Sequence, residues 1–136
     1  MKLLLDSHAF LWWLLDDRRL PGPARTAIAD PESLLHVSAA TIWELSIKAA
    51  LGRLELRGCD LVAEIAANGF VELPLRAAHA RAAGALPRHH DDPFDRALIA
   101  QALAHGLTCV TRDPVFTTYG VRTLWSRVDR SEAAKT

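Results

Sequence analysis

Residues 91–113 read "DDPFDRALIAQALAHGLTCVTRD" and hold one complete passage from helix to strand. Asp92 is a favoured helix cap, and Pro93 stands at the first helical position, where proline loses nothing. Leu98, Ile99, Ala102 and Leu103 recur at helical spacing and predict the buried stripe. Gly106 supplies the stop. "LTCVT" is then an apolar run of strand length, followed two positions later by Asp113. The start of the helix is unusual in its charge: Asp91, Asp92 and Asp95 put three carboxylates within five positions. Helix capping explains an acid here, and so does a role in holding a metal ion. The rest of the chain decides between the two.

The same alternation extends outward in both directions. Leu3–Leu5 reads as a buried strand ended by Asp6, with Ser7 expected to cap the helix "HAFLWWLLDD". A second helix is expected over Pro21–Ala29 and a second strand over Leu34–Val37. "SAATIWELSIKAALG" places Ile42, Leu45, Ser46 and Ala49 on one helical face, with Gly52 just past its end. Leu61–Ala67 reads as a short helix, Phe70–Leu73 as a third strand, Arg76–Ala85 as a helix and "VRTLW" as a fifth strand. Strands that alternate with helices in this way predict an α/β fold, a parallel sheet covered on both faces. One domain is expected over residues 1–126, followed by a polar tail, "RVDRSEAAKT" (127–136), expected to fray.

Composition narrows the function. At 136 residues with 50% hydrophobic content, the chain is long enough to bury a proper core. A formal net charge of zero excludes bulk electrostatic capture of nucleic acid or membrane, though not a local patch. The cations are 13 arginines against 3 lysines, a skew that suits phosphate binding and equally a GC-rich coding bias. Cys59 and Cys109 form no C-x-x-C motif and no disulfide framework, which fits the reducing cytoplasm. No apolar stretch approaches membrane-spanning length, and Asp6 interrupts the first apolar run too early for a signal peptide.

Open parallel sheets bind ligands beyond the carboxyl ends of their strands. Asp6 follows strand one, Glu44 lies in the second turn of the helix after strand two, Asp95 lies in the first turn of the helix before strand four, and Asp113 follows strand four. Each alone has a structural reading. Asp6 is a cap, Glu44 and Lys48 are an i,i+4 ion pair, Asp95 suits the helix dipole and Asp113-Pro114 is a turn or helix start. Four acids converging on one sheet edge repel one another unless a cation joins them, and hard oxygen donors select Mg²⁺ or Mn²⁺. Such a centre serves phosphoryl chemistry. Arg96 and Arg112, each beside one of the acids, are candidates for contacting phosphate.

Four stretches carry a family resemblance: "LLLDSHAFLWWL", "SAATIWELSIKAALGRLEL", "HHDDPFDRALIAQAL" and "LTCVTRDPVFTTYGVRTLW". They run in order from Leu3 to Trp125, and the chain resembles PIN-domain nucleases, in particular the VapC toxins of type II toxin–antitoxin pairs. The resemblance implies a three-layer α/β/α sandwich with a parallel sheet of about five strands in the order 3-2-1-4-5. It implies a cytoplasmic Mg²⁺- or Mn²⁺-dependent endoribonuclease acting on structured RNA of the tRNA or rRNA class, usually a homodimer, and held in check by a VapB-type antitoxin. It matches Asp6, Glu44, Asp95 and Asp113 to the family's catalytic acids. Asp6, Asp95 and Asp113 are expected to hold the metal, with Glu44 orienting water or supporting the ligands. Asp92 is then the helix cap and reserve ligand, and Thr111 a hydroxyl close to the site. Ser7 stands where many relatives have Thr.

Other readings compete. His89 and His90 precede the acids, and a metal-free ribonuclease needs a histidine acid/base pair; a place on the loop surface is the expected one for both. Trp12 and Trp13 are adjacent and point about 100° apart, so both cannot share one core position, and Trp43 flanks another apolar face. Such aromatics either pack at the core's edge or mark a dimer contact or antitoxin groove. A haloacid-dehalogenase-type phosphohydrolase needs a second Asp at position 8, which is His8; a receiver domain needs a Lys after a late strand, which "LTCVTRD" lacks. A catalytically silent PIN module that binds RNA or a protein is the remaining alternative.

Overall fold

The computed structural model describes residues 1–127; of the expected tail, residues 128–136 lie outside the described residues. The elements in chain order are β1 (Lys2–Leu5), α1 (Ser7–Leu14), α2 (Gly22–Ala29), β2 (Leu34–Ser38), α3 (Ala39–Ala50) and α4 (Leu61–Ala67). They continue as β3 (Val71–Leu73), α5 (Ala77–Ala85), α6 (Pro93–His105), β4 (Thr108–Val110), α7 (Val115–Thr118) and β5 (Thr123–Leu124). The five strands form one sheet in the order β3-β2-β1-β4-β5, parallel throughout, with Leu5 beside both Val37 and Val110. The α/β class and strand order implied by the resemblance are therefore those of the structure. Among the described residues no helix is long and apolar enough to cross a membrane.

The central strand explains the layering. Leu3, Leu4 and Leu5 are all fully buried, because side chains on a strand alternate between faces and both faces are covered. Leu3 and Leu5 pack with Phe10, Trp12, Ile28 and Ile65 from α1, α2 and α4. Leu4 packs on the other face with Leu98, Ile99, Ala102 and Phe116 from α6 and α7. Two apolar cores thus clamp β1, and its carboxyl end delivers Asp6 to a fixed point on the edge of the sheet.

Three local expectations need correction. Asp6, not Ser7, caps α1, accepting the Ala9 amide at 2.8 Å; Ser7 is the first helical residue and its hydroxyl points elsewhere. The buried face of α3 is Ala40, Thr41, Glu44 and Leu45, so the helix is rotated from the Ile42–Ser46–Ala49 face, and Ser46 lies in solvent. That rotation turns Glu44 inward, where partners offset the burial of its charge. In α6 the run Ala97–Ala102 is wholly buried, because the sheet and α5 cover it on two sides, while Leu103 is 47% exposed on the remaining side. The cap itself is as expected: Asp92 accepts the amides of Phe94 and Asp95 at 2.8 and 3.1 Å, and Gly106 closes the helix at φ 64°.

Candidate active site

Four segments meet at a cleft of about 430 Å³ at the carboxyl edge of the sheet. Asp6 comes from the end of β1, Glu44 from α3, Asp95 from the first turn of α6 and Asp113 from the loop after β4; Ser7, His8, Lys48, Asp92, Arg112 and Pro114 complete the wall. All four expected acids thus line one cleft. Two hydrogen bonds tie their supports together. The Ser7 hydroxyl donates to Glu44 Oε1 at 2.5 Å, and the Asp113 amide donates to Thr111 Oγ1 at 3.1 Å. Thr111 is buried and its side chain also hydrogen-bonds Asp6, so one hydroxyl links the first and fourth acids. Asp113 in turn accepts the Val115 amide at 3.0 Å, which orients it at the start of α7.

The electrostatics follow from burial. Desolvation pushes the Asp6 carboxyl up to about 6, against the pull of Thr111 and the Ala9 amide; the nearby charges of Glu44 and Asp113 push the same way as burial. Asp95 is likewise raised to about 6, by burial first, with Asp92 and Glu44 adding to it and His90 opposing. The basic groups beside these acids offset only part of this charge. Lys48 Nζ pairs with Glu44 Oε2 at 3.0 Å and His90 Nε2 meets Asp95 Oδ2 at 2.9 Å. Among the described residues, Asp6 and Asp113 have no ion-pair partner. A buried set of hard oxygen donors with surplus negative charge is the donor chemistry that fits a divalent cation.

The remaining candidates separate clearly. Asp92 uses its carboxylate as the α6 cap. Arg112 is exposed at the rim, its guanidinium 4.9 Å from the Trp12 ring centre. Together with Lys48 it depresses the His8 pKa, after burial, so the rim of this acidic cleft is basic. Arg96 turns away and donates to the carbonyls of Ala83, Leu86, Pro87 and His90 at 2.8–3.0 Å. The histidines divide. His89 is on the loop surface as expected, its amide donating to the Tyr119 hydroxyl at 3.0 Å, whereas His90 leaves the surface for Asp95. The ligand atoms of His90, Asp95 and Asp113 all lie within 4.8 Å of one another. Sequence marks His90 only by its place two positions before a capping Asp, which is no signal of its direction.

The PIN domain model matches residues 3–121, nearly the whole of the sheet and its helices. The chain belongs to the PIN-domain family. Within it this PIN protein is of the VapC type: it is 34% identical over 113 residues to Ribonuclease VapC22 of Mycobacterium tuberculosis, covering 82% of this chain and 86% of that one. Solved structures share the PIN fold at lower identity. The VapBC2 complex of Rickettsia felis, bound to a promoter DNA fragment, superposes with a TM-score of 0.68 at 12% identity, covering 92% of this chain and 99% of that one. A toxin–antitoxin complex from Klebsiella pneumoniae gives 0.54 at 23% identity, covering 82% and 86%.

Proposed function

We propose that this VapC-type PIN protein is a divalent-metal-dependent endoribonuclease, the toxin of a type II toxin–antitoxin pair, with structured RNA of the tRNA or rRNA class as substrate. One observation carries the reading: four carboxyls from four distant segments share a cleft in which burial holds Asp6 and Asp95 near pKa 6. In this reading Asp6, Asp95 and Asp113 hold Mg²⁺ or Mn²⁺. A bound ion of this kind supplies charge for the scissile phosphate and favours ionisation of water.

The protein's own residues do the rest. Glu44, fixed by Ser7 and Lys48, orients the attacking water by hydrogen bonding. Thr111 keeps Asp6 and Asp113 in register. Arg112 and Lys48 at the rim receive the flanking phosphates, which the acids alone would repel. The water oxygen joins phosphorus, the bond to the 3′ oxygen breaks, and the products are a 5′-phosphate and a 3′-hydroxyl. Trp43 is 60% exposed and meets Phe94 edge-on at 5.1 Å beside a groove lined by Leu75, Ala83 and Ala97. Such a surface suits a protein cover, either the second copy of a homodimer or the antitoxin segment.

The test is incubation of total cellular RNA with purified protein. Discrete fragments with Mg²⁺ or Mn²⁺ and none with EDTA are expected. Cleavage unaffected by EDTA, or no cleavage by folded, antitoxin-free protein, overturns the proposal; the second result favours a silent binding module.

A further inference from the structure

We infer that His90 is itself a ligand of the divalent-metal centre, completing with Asp95 and Asp113 a mixed nitrogen–oxygen set that shifts preference from Mg²⁺ toward Mn²⁺. The inference rests on the metal-centre reading above and names a donor outside the four acids.

Three observations converge. The first is spacing. His90 Nε2 is 2.9 Å from Asp95 Oδ2, and His90, Asp95 and Asp113 each offer one ligand atom within a 4.8 Å span. Two donors at neighbouring corners of an octahedron with bonds of about 2.1 Å stand about 3 Å apart, and opposite corners about 4.2 Å. The His90–Asp95 pair therefore already stands at the spacing of neighbouring corners, with Asp113 offering a third donor close by.

The second is support. His90 belongs to a loop whose backbone is tied down from two sides. Arg96 Nη1 donates to the carbonyls of Pro87 and His90 at 3.0 Å each, and the Tyr119 hydroxyl accepts from the His89 amide and donates to Pro87 at 2.6 Å. The main chain on either side of the ring is fixed, and the ring is directed at the acids. The turn of the half-buried Arg96 toward this loop thereby acquires a purpose, since a metal ligand on a loop needs a rigid second layer.

The third is chemistry. Mg²⁺ takes oxygen donors and retains its waters, while Mn²⁺, which shares that liking for oxygen, belongs to the transition series whose members accept imidazole nitrogen. One nitrogen among carboxylates therefore discriminates between ions of equal charge.

The rival role for His90 is a hydrogen bond that merely orients Asp95. The two are separated by adding Mn²⁺ to the full-length wild type, His90→Gln and His90→Ala, with pulsed electron paramagnetic resonance to detect nitrogen coupled to the bound ion. Mn²⁺ and Mg²⁺ binding are titrated in parallel. The expected result is a nitrogen-14 signal in wild type that both variants lose, with Mn²⁺ binding weakened about tenfold or more and Mg²⁺ much less. Mn²⁺ bound through oxygen alone in wild type overturns the inference and leaves the metal centre standing. A nitrogen signal that survives in folded variants also overturns it, since His8 lines the same cleft. No Mn²⁺ binding by wild type overturns both this inference and the metal-dependent function. The wild-type spectrum alone can decide against His90 whatever the variants do.

Discussion

The Ser7 hydroxyl donates to Glu44 Oε1 across 2.5 Å, joining the start of α1 to the middle of α3 over 37 positions of sequence. This contact, with Lys48 on the other carboxylate oxygen, makes Glu44 tolerable at 9% exposure. It also fixes the direction of the carboxylate. Ser7→Ala is expected to cost about 1–3 kcal/mol of stability, as for a buried bond to a charged group. It should lower kcat more than it raises KM, because the orienting group is loosened while the rim is untouched. Ser7→Thr keeps a hydroxyl and should retain both properties. Melting curves and steady-state cleavage of one RNA substrate check this; an Ala variant with wild-type kcat removes Glu44 orientation from the account.

Burial of acids has a cost that depends on pH. Asp6 and Asp95 have native pKa values of about 6 against an ordinary 3.8, so the folded state binds more protons than the unfolded one between those limits. Their contribution therefore falls as pH rises from about 4 through 6, by up to about 3 kcal/mol each. His90, raised by its bond to Asp95, adds in the same direction, since its favourable pairing is lost as pH rises through its elevated pKa. In EDTA the protein should melt several degrees lower at pH 8 than at pH 5.5, and Mn²⁺ at pH 8 should restore the difference. Asp6→Asn should flatten part of the slope. A melting temperature in EDTA that rises over this interval would falsify the assignment of these acids as desolvated.

Arg96 and Arg112 look equivalent in sequence and should behave oppositely. Arg96→Ala removes a shared donor from the Ala83 carbonyl of α5 and the Leu86, Pro87 and His90 carbonyls of the loop, of which Pro87 keeps the Tyr119 hydroxyl, and should cost about 2 kcal/mol or more. Lysine cannot replace it, because one ammonium cannot span the fork of a guanidinium. Arg112→Ala removes an exposed contact with Trp12 and should change stability by about 1 kcal/mol or less, while raising KM for RNA. Paired denaturation and kinetics distinguish the two; an equal loss of stability in both contradicts their separation.

Asp92, one turn before Asp95, is the cap of α6, and in the proposed reading Asp95 is the ligand. Asp92→Ala should cost about 1 kcal/mol through the two lost amide bonds, and Asp92→Ser should recover most of it. Cleavage should persist in both. Asp95→Asn should instead lose cleavage by roughly a hundredfold or more without loss of the helix. Comparable activity loss at the two positions would show that Asp92 is a ligand too.

Much of this was written locally. The Asp92-Pro93 start and Gly106 stop of α6 depend on residues within one turn, and the structure follows them. The strand alternation is equally local, since fully buried strands and amphipathic helices differ in period. What sequence left ambiguous depends on neighbours distant in the chain. Leu45 fits two overlapping helical faces of α3, and only the approach of α1 selects the one that buries Glu44. Ser7 and Asp6 are both good caps, and the demand of Glu44 for a donor accompanies the choice of Asp6. His90 and Arg96 could not be placed, because long polar side chains at a loop have no periodicity to constrain them.

Asp6 is the most buried member of the acid cluster proposed as the hydrolytic centre. The most direct measurement compares wild type with Asp6→Asn on one defined RNA in Mn²⁺, after both are shown to fold; Asn is itself a good helix cap, so α1 should survive. Discrete cleavage by wild type, ending in 5′-phosphates, is expected, with none above background by the variant. A folded Asp6→Asn protein that cuts the same bonds at the wild-type rate would contradict this role of the cluster.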